Sequence, residues 1–399
     1  MQIGSGQSHV VAPARTLVTS FCFPPFSDTA AVVAAKRVRE MGEAVDVIYN
    51  VMDTVRHRDP SLLRICGDQV RRFAGLRTPT TFASWPAISA FVSEGMAQAL
   101  AWDDEQGPYE KVYSRAHFAA SHFLAAQYKM ARPETHWVAE FSDPLSHDVV
   151  GKVRRSPVLE GALATRLRDE VRAAGWDLPG DNTLEWAEVL PFVFADELLF
   201  TNPNQRDLML RLCHDPALAE HAASKARVSA HPTLPRSFYH QVLSTYPLAP
   251  GRKHIGYFGN FYANRGMTVV LRALRALPQV QRDALTVHVF TGNAGKVAGD
   301  DQIASFGESL KVRPYVDYLE FLNLCTTMDC LLVNDATTPP DVGVNPFLPS
   351  KISDYKGSGR PVWGIVEPGS RLSMEPLTYV SPTDHVSAAV QVLSQIAAS

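Results

Sequence analysis

The sequence has few cysteines, little charge imbalance and no long apolar run, and each shortage removes a class of protein. Its five cysteines (Cys22, Cys66, Cys213, Cys325 and Cys330) occur in 399 residues without a CxxC pair or a histidine-rich neighbour. That spacing argues against a zinc site and a disulfide framework, and it fits a reducing cytoplasm. No metal ligand set and no bound cofactor are expected. A net charge of −3 offers no whole-chain attraction to nucleic acid. No apolar stretch is long enough to span a bilayer, and the first residues lack the basic region, apolar run and cleavage site of a secretory signal. No GxGxxG follows a strand pattern, which disfavours an NAD-dependent enzyme, and no short-period repeat is present. What remains is an ordinary globular composition, 46% apolar and 20% charged, in a chain long enough for two cores.

The chain divides at a Pro/Gly-rich stretch without periodicity, Tyr246-Pro-Leu-Ala-Pro-Gly-Arg. The expected division is an N-terminal domain over 1–245, a linker over 246–253 and a C-terminal domain over 254–399. Downstream, strand patterns at 254–261, 285–290, 310–312, 330–334 and 361–366 alternate with helical ones at 266–277, 318–326, 350–357 and 385–398. Upstream, strands are expected at 17–23, 45–50, 137–141 and 195–202, with helical pattern at 28–41, 84–101 and 115–130. Continuously apolar strands alternating with helices indicate parallel sheets buried on both faces. The fold class is therefore α/β, with two doubly wound, Rossmann-like domains facing a central cleft.

Ligands of such sheets bind beyond the carboxyl ends of the strands. Three loops qualify. Phe21-Cys-Phe-Pro-Pro-Phe-Ser-Asp28 follows the first strand and ends in a helix cap. Gly259-Asn-Phe-Tyr-Ala-Asn-Arg265 is its counterpart in the second half, where Gly259 permits close backbone approach and Arg265 suits phosphate oxygens. The third runs Asn345-Pro-Phe-Leu-Pro-Ser-Lys-Ile-Ser-Asp354. There Ser350 opens a short helix whose N-terminus suits an anion. Lys351 lies in the first turn, where the helix dipole disfavours a cation unless an anion is bound. Asp354 has the reach to accept hydrogen bonds from two vicinal hydroxyls. The plainer alternatives are a capped surface helix with solvated charges and, for Arg265, an exposed residue ahead of a helix.

The order Gly259–loop–Arg265-Gly266, Val312–Val316, Met328-Asp-Cys-Leu-Leu-Val and Leu348-Pro-Ser-Lys-Ile-Ser-Asp-Tyr-Lys-Gly-Ser-Gly-Arg-Pro-Val362 resembles the donor-binding half of GT-B glycosyltransferases of the group 1, family 4 type. Phe23-Pro-Pro-Phe, Trp137-Val-Ala-Glu-Phe-Ser-Asp143-Pro and Ala195-Asp-Glu-Leu-Leu-Phe-Thr-Asn-Pro-Asn204 extend the likeness upstream. The resemblance implies a nucleotide-diphosphate sugar donor held at its diphosphate by Gly259, Asn260, Arg265, Ser350 and Lys351, and at its ribose by Asp354. It places the base near Tyr315 and Val316. Asn260 stands where the family often has arginine, Arg265 where it often has lysine, Asp354 where it commonly has glutamate, and Pro346 where a second acidic residue is usual. The implied reaction is retaining transfer to an acceptor hydroxyl without a metal.

Asp143, after an apolar strand, is the leading group to orient or deprotonate the acceptor, and His117 is second. Their plainer readings are a strand-ending turn and a helix-packing histidine. The acceptor itself is not specified; a glycan, a lipid-linked sugar or a small molecule would serve. Lys36, Arg37 and Arg39 on one helix, with Arg56, Arg58, Arg64, Arg71, Arg72 and Arg77 after it, are compatible with peripheral contact at the inner membrane face. Solvated surface charges are the commoner explanation. A nucleotide-sugar epimerase of the same fold and a non-catalytic two-lobed binding protein are the alternatives; the first would need no acceptor.

Overall fold

The computed structural model describes residues 14–260, 266–340 and 342–399. The first half forms seven strands: β1 Thr16–Thr19, β2 Val45–Asn50, β3 Val70–Leu76, β4 Lys111–Ala116, β5 His136–Phe141, β6 Glu197–Phe200 and β7 Ala226–Val228. They make one sheet in the order β3-β2-β1-β4-β5-β6-β7. The second half forms β8 Lys253–Phe258, β9 Leu285–Phe290, β10 Leu310–Arg313, β11 Cys330–Asn334, β12 Val362–Val366 and β13 Tyr379–Pro382, in the order β10-β9-β8-β11-β12-β13. Every pairing in both sheets is parallel. Strand order reverses between β1 and β4 and again between β8 and β11, giving each sheet a crevice at its carboxyl edge.

The two doubly wound sheets match the architecture expected from the sequence, but four strands escaped it. β3, Val-Arg-Arg-Phe-Ala-Gly-Leu, alternates half-buried and exposed residues at a sheet edge, so it lacks an apolar run. β7 and β13 are likewise short edge strands. β4 was hidden because Ser114 and Arg115 are polar yet buried, so residues 115–130 read as one helix. The helix begins only at Ala120. His117 therefore sits in the turn beyond β4, not on a helix.

The halves are joined by more than a linker. The first helix, α1 (Thr29–Met41), is stopped by Gly42 in the left-handed region at φ 68°. Its Val38, with Leu62 and Ile65, belongs to the same apolar cluster as Leu319, Phe321 and Leu322 of the second half. Residues 236–246 are anchored on the second half before β8 begins. Asn323 donates to the Tyr239 carbonyl at 2.8 Å, and Ser244 bonds Asn323 and Glu320. Tyr239 also donates to the Asp354 carbonyl at 2.6 Å. Gly357 makes this approach possible, because a Cβ there would lie 2.1 Å from the tyrosine oxygen. Beyond β6, Asn202 donates to the Pro346 carbonyl at 2.9 Å and Asn204 to that of Asn345 at 2.9 Å. These contacts join loops that follow β6 and β11, so the carboxyl edges of the two sheets face each other.

Candidate functional site

Loops after β1, β2, β4 and β5 of the first sheet converge at this seam, the β2 loop supplying Arg56. Asp28, after β1, caps α1 through the Ala30 amide at 2.7 Å and receives the Arg56 Nε at 2.6 Å. Burial pushes its pKa up, but nearby His117 and Arg56 outweigh that and hold it below the ordinary value. His117, after β4, is part-buried, its ring edge-on to Phe82 and Phe118 at 5.9 and 5.4 Å. Burial lowers its pKa; Asp28 and Asp143 pull the other way. His117 thus stands within electrostatic reach of two carboxylates, Asp28 and Asp143, a placement suited to proton exchange. Asp143, after β5, is exposed. Its loop is fixed from behind by half-buried Glu188, whose carboxylate accepts the Leu145 and Ser146 amides at 2.6 and 3.0 Å and the Ser146 hydroxyl at 2.6 Å.

Beneath these residues lies a charged network that sequence reasoning missed. Glu140, within β5, accepts Arg37 Nε at 2.8 Å and the Tyr113 hydroxyl at 2.7 Å on Oε2, while Arg115 Nε stands 3.4 Å from Oε1. All four residues are buried. Burial raises the glutamate pKa, and Arg37, Arg115 and His231 more than compensate, leaving it below the usual carboxylate value. The one available signal was a charge inside the apolar run His-Trp-Val-Ala-Glu-Phe.

On the second sheet, Gly259 follows β8 and its amide bonds the Phe290 carbonyl at 3.0 Å. Asn260 Oδ1 accepts the Gly292 amide at 3.1 Å, and a Cβ on Gly292 would also meet Tyr315. Asn260 and the half-exposed Tyr315 are thus brought together around a glycine at the ends of β8, β9 and β10. Val316 packs inward against the cluster shared by the two halves. Arg265 lies outside the described residues. Ser350 and Lys351 begin the helix Lys351–Ser358, and Ser350 makes no side-chain cap. Two first-turn amides are not available to an anion, however. Ile352 N–H bonds the Pro349 carbonyl at 3.0 Å and Ser353 N–H that of Ser350 at 3.2 Å.

Asp354 differs most from expectation. Instead of an open carboxylate awaiting hydroxyls, it is 6% exposed, with Lys36 Nζ at 2.5 Å and the Tyr318 hydroxyl at 2.7 Å on Oδ1. Lys36 reaches it from α1 and also touches Ser353 Oγ at 3.2 Å. Lys36 and Tyr318 thus occupy Oδ1, and a ribose hydroxyl would meet this carboxylate at Oδ2. The same contact corrects the reading of the basic residues. Lys36 and Arg37 are buried at the seam, and Arg39 stacks on Phe238 at 4.7 Å. Arg56, Arg58 and Arg72 are paired with Asp28, Asp53 and Asp46. These six are thus engaged within the protein, which removes most of the basic face invoked for membrane contact. Among the described residues, no helix is long and apolar enough to cross a membrane, and no group of three metal-ligating side chains occurs.

Two buried histidines and the half-buried His231 set an acid limit on the fold. His122 accepts the Ser114 hydroxyl at 2.8 Å, and burial lowers its pKa to about 3. His231 is lowered to about 3 by burial and by Arg115. His288, also at about 3, lies in a one-way chain. Tyr246 OH donates to its Nδ1, its Nε2–H to His254 Nδ1, and His254 Nε2–H to the Ala249 carbonyl. Each folded pKa is below the unfolded value of 6.5, so the unfolded chain binds more protons on acidification. The stability these three groups contribute is complete above pH 6.5 and falls towards pH 3, by about 4 kcal/mol per pH unit at the steepest. A urea midpoint that stayed constant about two units below pH 6.5 would refute this.

No protein-family model matches the chain, and no curated protein matches its sequence. Its shape, however, matches solved structures over nearly the whole length. An α,α-trehalose-phosphate synthase (UDP-forming) from Burkholderia xenovorans, in complex with glucose-6-phosphate, aligns with TM-score 0.54 at 12% identity, covering 96% of this chain and 92% of that one. UDP-GlcNAc 2-epimerase from Neisseria meningitidis bound to UDP-GlcNAc aligns with TM-score 0.53 at 10% identity, covering 96% and 91%. MnaA of S. aureus, in a structure with UDP, aligns with TM-score 0.51 at 13% identity, covering 96% and 88%. The chain has the GT-B fold. At these identities the likeness establishes the fold and no more. Within the GT-B fold, His117, Asp143 and Asp28 occupy the edge of the first sheet, and Asn260, Tyr315 and Lys351 the facing edge of the second.

Proposed function

We propose that the chain is a nucleotide-sugar-dependent glycosyltransferase, of hexosyltransferase type and family 4 kind, that transfers a sugar to an acceptor hydroxyl with retention. The observation carrying this reading is the placement of Asp28, His117 and Asp143 after β1, β4 and β5, on a sheet edge facing the Asn260–Tyr315–Lys351 edge. The donor lies on the second side, its diphosphate at Gly259, Asn260, Arg265, Ser350 and Lys351 and its base at Tyr315 and Val316. Asp354 takes the ribose at Oδ2, beside Lys36 and Tyr318 on Oδ1. In the reaction the bond from the sugar anomeric carbon to the diphosphate oxygen breaks and a bond to the acceptor oxygen forms. The acceptor proton passes to Asp143 or His117. Negative charge developing on the departing nucleoside diphosphate is balanced by Lys351, Arg265 and the helix dipole rather than by a metal. Five free thiols fit a cytoplasmic setting, and synthesis of a cell-surface polysaccharide or glycolipid would suit such an enzyme.

A nucleotide-sugar epimerase is the second reading, because a histidine flanked by carboxylates also suits proton transfer at carbon. Incubating the protein with a UDP-sugar alone and with candidate acceptors separates the two. Appearance of an epimer without acceptor favours the epimerase, whereas acceptor-dependent UDP release favours the transferase. Asp143→Ala is expected to lower turnover by about a hundredfold while leaving donor affinity within about twofold. Near-wild-type turnover would exclude Asp143 from the chemistry.

A further inference from the structure

Beyond Asp143 the loop after β5 turns into a short hairpin. The Asp148 amide bonds the Lys152 carbonyl at 2.9 Å, the Arg154 amide bonds the Ser146 carbonyl at 2.7 Å, and His147 stands opposite Val153. The hairpin reaches the second half. A Cβ on Gly151 would lie 2.5 Å from Val342, in the loop after β11, and the Val342 carbonyl accepts Arg211 Nη2 at 2.8 Å. His147 is thus carried on a segment that runs from the end of β5 to the loop after β11.

A chain of hydrogen bonds fixes the state of His147. Ser146 Oγ donates to Glu188 Oε2 at 2.6 Å, and His147 Nδ1 lies 2.9 Å from the same Oγ. A hydroxyl has one proton, and here the carboxylate takes it. The second contact is therefore a bond from Nδ1–H to the serine oxygen. A neutral ring then carries its lone pair on Nε2, which makes no hydrogen bond among the described residues and is not sealed from solvent. Glu188 Oε1 separately accepts the Leu145 and Ser146 amides, so the loop is anchored without the hydroxyl. What the hydroxyl adds is the choice of ring nitrogen. A base oriented by a third group through its other nitrogen is the arrangement of a proton acceptor. Burial lowers the His147 pKa, with Arg154 adding to this and Glu185 and Asp148 opposing it. Burial, with a smaller push from Glu185, holds the Glu188 carboxyl above its ordinary value against the bonds it accepts, which readies it to receive a proton.

We infer that His147 is a further proton-transfer group of this edge, its Nε2 taking the proton of the acceptor hydroxyl and Glu188 holding a proton at the end of the chain. The inference rests on the transferase reading and adds a recipient for the acceptor proton, leaving Asp143 to orient the hydroxyl. As the acceptor oxygen bonds the anomeric carbon, the diphosphate leaves with the electron pair of the broken bond and the hydroxyl proton passes to Nε2. The Nδ1 proton passes to Ser146 Oγ, and the serine proton to Glu188 Oε2. The imidazole ends neutral in the opposite tautomer, the glutamate ends uncharged, and the negative charge resides on the nucleoside diphosphate. Ser146 and Glu188 are positioning residues and touch no substrate.

The test reads the ring nitrogens of His147 by nitrogen NMR of isotope-labelled protein, with His147→Gln identifying its signals. Without nucleotide, at neutral pH, the wild-type ring is expected to be protonated at Nδ1 and bare at Nε2. In Glu188→Gln the amide oxygen stays on the two loop N–H groups and the amino group turns to Ser146. The serine hydroxyl must then point at Nδ1, and the proton is expected on Nε2. The opposite tautomer or a charged ring in the wild-type protein, or an unchanged tautomer in Glu188→Gln, overturns the inference. The proton transfer itself is read as UDP release from a UDP-sugar. His147→Gln should lower turnover about a hundredfold while UDP affinity stays within about twofold. Wild-type turnover in that variant overturns the inference. Where Glu188→Gln fails to fold, the wild-type spectrum and His147→Gln decide. If no nucleoside diphosphate binds, the transferase reading fails separately, and the ring spectrum, which needs no nucleotide, still reads on the chain.

Discussion

Glu140→Gln is expected to destabilise the protein by about 3–5 kcal/mol, measured as a lowered urea midpoint at neutral pH. The reason is charge rather than volume. Glutamine fills nearly the same space, but Arg37 and Arg115 would then face each other beneath the sheet with no carboxylate between them. Both guanidinium side chains are almost completely buried, so solvent screens neither. Tyr113 would lose its charged acceptor at 2.7 Å as well. Glu140→Asp, which keeps the charge on a shorter arm, should recover part of the loss. A shift below about 1 kcal/mol for the glutamine variant would mean that water or rearrangement satisfies the guanidinium groups, and that the network is looser than described.

Lys36→Met is expected to cost about 3–5 kcal/mol, again because a buried charge is abandoned rather than because an attraction is lost. Lys36 Nζ is the cation opposite Asp354, and the two side chains are 1% and 8% exposed. The methionine would fit the apolar surroundings of α1, while the Asp354 carboxylate would keep only the Tyr318 hydroxyl. Asp354→Leu alone should cost a similar amount, by stranding Lys36. The double variant should be much more stable than the sum of the singles, because it removes both charges together. Simple additivity would show that the pair is not coupled across the seam. Since the two residues belong to opposite halves, their coupling also measures how firmly the halves are locked.

These two residues also show where sequence reading stops. The parallel α/β plan was legible because strands such as β9 and β11 are continuously buried and read as apolar runs, and because helices such as α1 carry local start and stop signals. The loops after β1, β5 and β8 were located correctly for the same reason. Strand β4 was lost because Ser114 and Arg115 take their place in the core only through partners far along the chain. Lys36 carries no sequence mark separating it from a solvated lysine, since its partner lies 318 residues away. Asp354 was singled out by its helix position, which says nothing about α1 arriving against it. Local pattern thus fixes elements and strand ends, whereas the pairing of charges across two domains is a property of the packed molecule alone.

On the proposed reading, a nucleoside diphosphate binds at the edge of the second sheet, beside Lys351. Its most direct test is the thermal midpoint of the protein and of Lys351→Ala titrated with UDP, GDP, ADP and TDP. One of the four is expected to raise the wild-type midpoint in a concentration-dependent way, and the substitution should weaken that nucleotide about tenfold or more. No shift with any of the four, or a shift identical in the variant, would contradict the assignment and leave the GT-B likeness as one of fold alone.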